Sequence, residues 1–243
     1  MKYLVLLALA LGAACQSKTP PSPSVPLKSV DPATAGVIRG EVLFEGTPPA
    51  PSKIPVSGFP ECANPKTEDD DVLIREGRVQ NAFVSIKTGL EPYTFPPPEG
   101  ETVIDQVGCL YAPRVVGLRI GQTLVVKNSD PLLHNVHALP KFSRSFNLAM
   151  SKGAAEIRRT FTEPEVMVPI RCDVHPWMRA YAGVLPHPGF AVTGPDGRFE
   201  IKGIPPGTYA LSVWHERLGE AERIVTLGVK EEKTVPFVIT SQR

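Results

Sequence analysis

The sequence predicts an all-β protein of the β-sandwich class, and three observations carry that prediction. Short runs of alternating apolar and polar residues recur along the chain, each stopped by glycine or proline. The 27 prolines among 243 residues argue against helix interiors, where proline removes a hydrogen bond and clashes with the preceding turn. No stretch carries the apolar stripe of an amphipathic helix of three turns.

The elements follow in order. "MKYLVLLALALGAAC", residues 1–15, has one lysine, an apolar run from Tyr3 to Leu11 and then small residues, the layout of a secretory signal too short to remain as a bilayer span. Residues 16–35, "QSKTPPSPSVPLKSVDPATA", offer almost nothing to bury and read as an extended spacer. Strands are expected at 37–44, 78–86, 122–128, 166–172, 208–214 and 223–229. Between 190 and 214, Asp196 with Gly197 and Pro205 to Gly207 supply turns, while Phe199, Ile201, Tyr209 and Leu211 alternate into a core. The acidic run Glu68 to Asp71 lacks the spaced Asp/Asn and glycine pattern of a calcium loop and reads as solvated. With 26 basic and 25 acidic residues, no net field draws nucleic acid or anionic lipid.

The chemistry concentrates in "CDVHPWM", residues 172–178. On a strand ending at Cys172, alternation puts Val168, Ile170 and Cys172 on one face, the expected core face. A buried thiol alone is a small hydrophobe. His175 and Met178 change its meaning, because thiolate, imidazole and thioether together form a donor set that selects copper. A second imidazole has to come from elsewhere in the sheet, and "NSDPLLHNVHAL" supplies His134 at a strand start. His137, three residues on, points to the opposite face and reads as an exposed or edge histidine; the alternative is a ligand swap or a second copper site. His187 and His215 lie outside the motif and read as structural or interface residues.

These residues carry a resemblance. "HNV" after an "NSD" turn, followed by C-x-x-H-x-x-M at the end of a β-rich stretch, is similar to the plastocyanin and amicyanin group of cupredoxins. The short loop, with proline directly after the histidine, is similar to amicyanin. The resemblance implies one type 1 copper with His134, Cys172, His175 and Met178 as ligands, and Asn135 tying the two ligand loops together. It also implies single-electron transfer with a redox protein such as a cytochrome c or a dehydrogenase. The imidazole edge of His175 is then the expected electron port, ringed by an apolar docking patch of Pro131, Leu132, Leu133, Pro176 and Trp177.

The tail from 190 to 214 resembles the transthyretin-like or carboxypeptidase-regulatory-like domain, in which a "DG" hairpin precedes F-x-I-x-G-I-P-P-G-x-Y-x-L. The opening segment of that family, G-x-I-x-G-x-V, has its match far upstream in "GVIRGEVLFEG", residues 36–46. The expected layout is therefore a discontinuous transthyretin-like sandwich, 36–94 and 188–240, with a cupredoxin domain, 95–187, inserted in it. Tandem domains, with all of 36–187 in one elaborated cupredoxin, are the other layout.

"LGAAC" resembles the lipobox of bacterial lipoproteins, with Gly12 where leucine is usual, which makes Cys15 a lipid anchor; plain cleavage after Ala14 accounts for the same small residues. Gln16 points, by the same resemblance, to the outer membrane. The expectation is an exported, periplasmic, lipid-anchored monomer. With Cys15 and Cys172 so assigned, Cys62 and Cys109 remain, and an exported compartment favours a disulfide between them, with two reduced buried cysteines as the alternative.

An enzyme is not expected: no H-x-H pair occurs, "HERLG" at 215 lacks the second histidine of a zinc protease, and the tail resembles only a non-catalytic sandwich. The alternative to an electron carrier is a copper-storage or copper-handling lipoprotein.

Overall fold

The computed structural model describes residues 26–55, 59, 62 and 68–240. The signal segment, Cys15 and residues 16–25 of the spacer lie outside the described residues. The structure is all-β, with no helix among the described residues.

Two hydrophobic cores organise it. The first draws on residues between Ile104 and Val184 and adds Ile54 and Cys62 from upstream. The second combines Ile38 to Leu90 with Phe199 to Ile239. Around the first core, one sheet runs Ile157–Arg159, Thr123–Asn128, Glu101–Gln106, Tyr111–Ala112. The facing sheet runs Phe146–Met150, His134–Ala138, Glu165–Arg171, Arg179–Leu185, Val115–Arg119. Around the second core, Gly36–Glu45 is central to one sheet: it pairs with Arg198–Ile204 on one side and with Glu232–Thr234 and Phe237–Thr240 along its length. The other sheet runs Phe190–Val192, Phe83–Thr88, Gly207–His215, Gly219–Leu227.

Period-two alternation explains the burial. Phe199, Ile201, Tyr209 and Leu211 all enter the second core, and the hydroxyl of Tyr209 donates to the Pro205 carbonyl. The 196–197 turn is closed by Arg198 N–H donating to the Asp196 carboxylate, with Gly197 at φ 68°.

Three expectations need correcting. The strand expected at 78–86 is two strands, Arg78–Val79 and Phe83–Thr88, because Asn81 takes φ 62° and donates its N–H to the Thr193 carbonyl. The described end of the spacer is docked: Lys28–Ser29 pairs in parallel with Tyr93–Thr94. The acidic run is solvated only in part: Glu68 is exposed, but Asp69 and Asp71 are buried and bound to Arg114 and Arg217.

The sandwiches meet through a third cluster of Phe83, Val115 and Leu185, with Tyr181, Phe190 and Trp214 packed against it. Arg179–Leu185 is therefore covered on both faces: Ala180, Ala182 and Val184 enter the first core, Tyr181 and Leu185 the joint. Gly183 stands opposite Gly117 in the strand pairing. A Cβ at Gly183 would overlap the Phe83 ring, and one at Gly117 the Phe190 ring. The glycine pair opens a slot in one sheet that receives two stacked rings, 5.8 Å apart, from the other sandwich.

Candidate metal centre

His134 opens an inward-facing series, His134, Val136 and Ala138, whose side chains fall on the core face. Cys172 follows Val168 and Ile170 into the same core. The loop after it is short and closed on itself: Met178 N–H donates to the His175 carbonyl at 2.9 Å, and Cys172 N–H to the Met178 carbonyl at 3.1 Å. Backbone hydrogen bonds of this kind fix where His175 and Met178 stand relative to Cys172.

Three donors converge. The Nδ1 atoms of His134 and His175 are 3.0 Å apart, and Cys172 Sγ is 3.9 Å from His175 Nδ1. One donor atom from each lies within 4.8 Å of the others. Such separations suit atoms sharing one ion at bonds of about 2.0 Å to nitrogen and about 2.3 Å to sulfur. Two imidazoles and a thiol, with the Met178 thioether buried in the same core, are the donors a copper ion prefers. The residues present thus fit copper.

The surroundings prepare these donors. Burial pushes the Cys172 thiol up, but the hydrogen bond with His134 and the backbone amides of Asn135, His175 and Val174 outweigh it and hold the thiol below its ordinary range. Burial also disfavours protonated His134, yet hydrogen bonds to Cys172 and Asp130 prevail and raise it. Asp130 fixes the ring from behind at 2.9 Å from Nε2, leaving Nδ1 for the centre. Asp130 is itself held by the N–H groups of Gly108 and Cys109 at 2.7 and 2.8 Å.

Asn135 joins the two ligand segments. Its Oδ1 accepts from Asp173 N–H at 2.6 Å and from the Cys172 thiol at 3.3 Å, while its Nδ2 donates to Asn147 and Asp173. Its backbone carbonyl accepts from the Tyr111 hydroxyl at 2.6 Å. His137 turns away to Asp173, 3.0 Å from Nδ1, and His187 packs near Phe95. His215, only 3 % exposed, sits close to Arg114, whose charge adds to burial in holding its pKa down to about 4.

The expected electron port and docking patch need correcting. His175 is 1 % exposed and Trp177 8 %, because Phe59 covers both, its ring 5.2 Å from His175 and 4.8 Å from Trp177. The Trp177 indole N–H is spent on the Cys109 carbonyl at 2.9 Å. Leu132 packs against the core, so only Pro131, Leu133 and Pro176 of the patch are exposed. Cys62 and Cys109 form a disulfide beside this cover, and both sulfurs belong to the first core. Cys172 lines a surface pocket of about 550 Å³ with Arg171, Pro176, Arg179 and Tyr181.

Phe59, Asp130 and Asp173 escape sequence reasoning. Asp130 lies in the quoted "NSD" turn and Asp173 directly follows Cys172, and that adjacency to the donors is the signal that could have found them. Phe59 has no local signal except Cys62 three residues on.

No protein-family model matches the chain, and no curated protein is significantly similar to it. Among solved structures, a Cu(I) amicyanin variant is 25% identical, covering 36% of this chain and 84% of its own at a TM-score of 0.31. An oxidised amicyanin variant is 22% identical, covering 42% of this chain and 97% of its own at a TM-score of 0.32. A purple cupredoxin from Nitrosopumilus maritimus is 19% identical, covering 35% of this chain and 99% of its own at a TM-score of 0.30.

Proposed function

We propose that this chain holds one copper ion through His134, Cys172, His175 and Met178 and carries single electrons between redox proteins. The observation behind the reading is the convergence of two imidazole nitrogens and one acidified thiol within 4.8 Å in a buried site. Copper supplies a one-electron couple between its two common oxidation states. The residues do the rest. Asp130 orients His134, Asn135 ties the two ligand segments, and the closed 172–178 loop keeps the donors in one arrangement whichever charge they face. Stiff ligation of this kind keeps reorganisation small, which is what an electron carrier needs.

With His175 covered, the route for the electron runs on the Cys172 side, where Arg171 and Arg179 flank the surface pocket. Arg171 is paired with Asp173 at 3.3 Å, so Arg179 is the charge an acidic face on a cytochrome c or a dehydrogenase would meet. In this reading the protein is exported and lipid-anchored through Cys15, facing the periplasm as a monomer at the outer membrane.

The deciding experiment is the visible spectrum of the copper-loaded, oxidised protein beside Cys172→Ser. Strong absorption towards the red that vanishes in the variant supports the carrier. A colourless oxidised protein with copper bound overturns it.

The cover over His175 favours a second reading, a copper-storage or copper-handling protein, because a carrier gains from an exposed ligand edge. Rapid electron exchange with a small soluble oxidant, without copper loss, separates the carrier from the store.

A further inference from the structure

Between the strands Gly36–Glu45 and Ile74–Arg75 the chain leaves the second sandwich and visits the metal end of the first. Ile54 and Cys62 belong to the first core, Phe59 lies over His175, and Cys62 is bonded to Cys109. On the way back, Asp69 is held by Arg114 at 2.6 and 3.1 Å, and Asp71 by Ser52 and Arg217. The described residues of this segment, 46–55, 59, 62 and 68–73, act as a strap with ion pairs at its root and one covalent pin at the metal end.

Beneath the strap, His134 and Met178 are 0 % exposed and Cys172 and His175 1 %. Phe59 and the disulfide close the His175 side of these donors, while Cys172 borders the surface pocket on the other side. The pin is itself made of metal-binding atoms. The sulfurs of Cys62 and Cys109 lie within 4.8 Å of each other and of a His175 ring nitrogen. The Cys109 sulfur is equally close to a His134 nitrogen and an Asp130 oxygen. Two thiols and an imidazole are soft donors suited to Cu(I).

Resting on the metal-centre reading above, we propose that Cys62 and Cys109, as thiols, form a copper(I) entry site with His175, and that their disulfide closes the centre behind the ion. Opening is thiol–disulfide exchange with a dithiol reductant. A reductant thiolate attacks one sulfur, the Cys62–Cys109 bond breaks, and the reductant's second thiol resolves the mixed disulfide. The reductant becomes a disulfide, and its two electrons and two protons appear as the two cysteine thiols. Phe59 then has no covalent tie, His175 is uncovered, and the freed thiols can take Cu(I) from a carrier. Closing is the reverse exchange with a disulfide-bearing oxidant, which takes the two electrons and two protons of the pair, leaves as a dithiol, and re-forms the Cys62–Cys109 bond.

The test uses the full chain with copper kept as Cu(I) by ascorbate in every sample. Copper loss to a Cu(I) chelator is timed with the disulfide intact, and again after dithiol treatment and anaerobic removal of the dithiol. Loss is expected to be about tenfold faster or more once the pin is cut, as local opening becomes easier. The Cys172→Ser chain, reduced at Cys62 and Cys109, should still hold one Cu(I) against the chelator, and adding Cys62→Ser with Cys109→Ser should abolish it. Equal loss rates in the two states, or no Cu(I) on the reduced Cys172→Ser chain, would overturn the entry site. The metal-centre reading fails separately, by a colourless oxidised spectrum in the disulfide-intact protein.

Discussion

Asn135 shows what one side chain can hold. Its carbonyl oxygen serves the 172–174 segment and its amide serves Asn147 and Asp173, so the two stretches carrying the donors are bridged by a single buried residue. Asn135→Ala leaves the Asp173 N–H without that partner. It should cost about 1–3 kcal/mol in urea denaturation of the metal-free protein and shift the absorption of the copper form. His215 gives a pH prediction. Its folded pKa of about 4 lies below the ordinary histidine value of 6.5, so the unfolded chain takes the proton first as pH falls. Its contribution is complete above about pH 6.5 and is lost between there and about pH 4, some ~3 kcal/mol in all. Asp71, held low despite burial by Ser52 and Arg217, acts in the same direction, so the comparison isolates the histidine. In His215→Gln, stability measured at pH 7 and pH 4.5 should differ less than in the parent chain. At this scale the candidate donors were readable, because their chemistry is tied to residue type and spacing, and His134, Cys172 and His175 do come together. Phe59 was not, because an aromatic ring gains its meaning only from what it covers.

Among the elements, the strap and Arg114 decide most. Arg114 is 6 % exposed and joins Asp69 of the strap to Glu216 of the second sandwich, with Nη1 2.6 Å from one carboxylate and Nη2 3.0 Å from the other. Removing the guanidinium leaves two carboxylates buried without their cation. Arg114→Met should therefore cost about 3–5 kcal/mol of stability by denaturant titration and loosen the strap, seen as faster backbone hydrogen exchange at 52–54. The strand pattern was readable wherever one face is dry, as in 37–44 and 208–214. It failed at 78–86, where a left-handed Asn81 interrupts an otherwise good alternation. The acidic run was misread for another reason: Asp69 and its arginine are 45 residues apart, a separation no local window spans.

For the whole molecule, the joint between sandwiches is the least legible part. Glycines in the sequence read as turn punctuation, yet Gly117 and Gly183 face each other inside strands and make room for Phe190 and Phe83. A methyl at Gly183 forces the Phe83 ring out of its slot. Gly183→Ala should cost about 1–3 kcal/mol, and double labels placed one on each sandwich should report a broadened distance distribution. If the distribution stays narrow, the rings are not what aligns the two bodies. The same slot has a navigational consequence. Rings seated between paired strands resist rotation about the joint, so the metal end keeps one bearing relative to Lys28–Ser29. Under the proposed function, a protein approaching to exchange an electron or an ion would meet a port with a constant heading, and its search would be over position more than over angle.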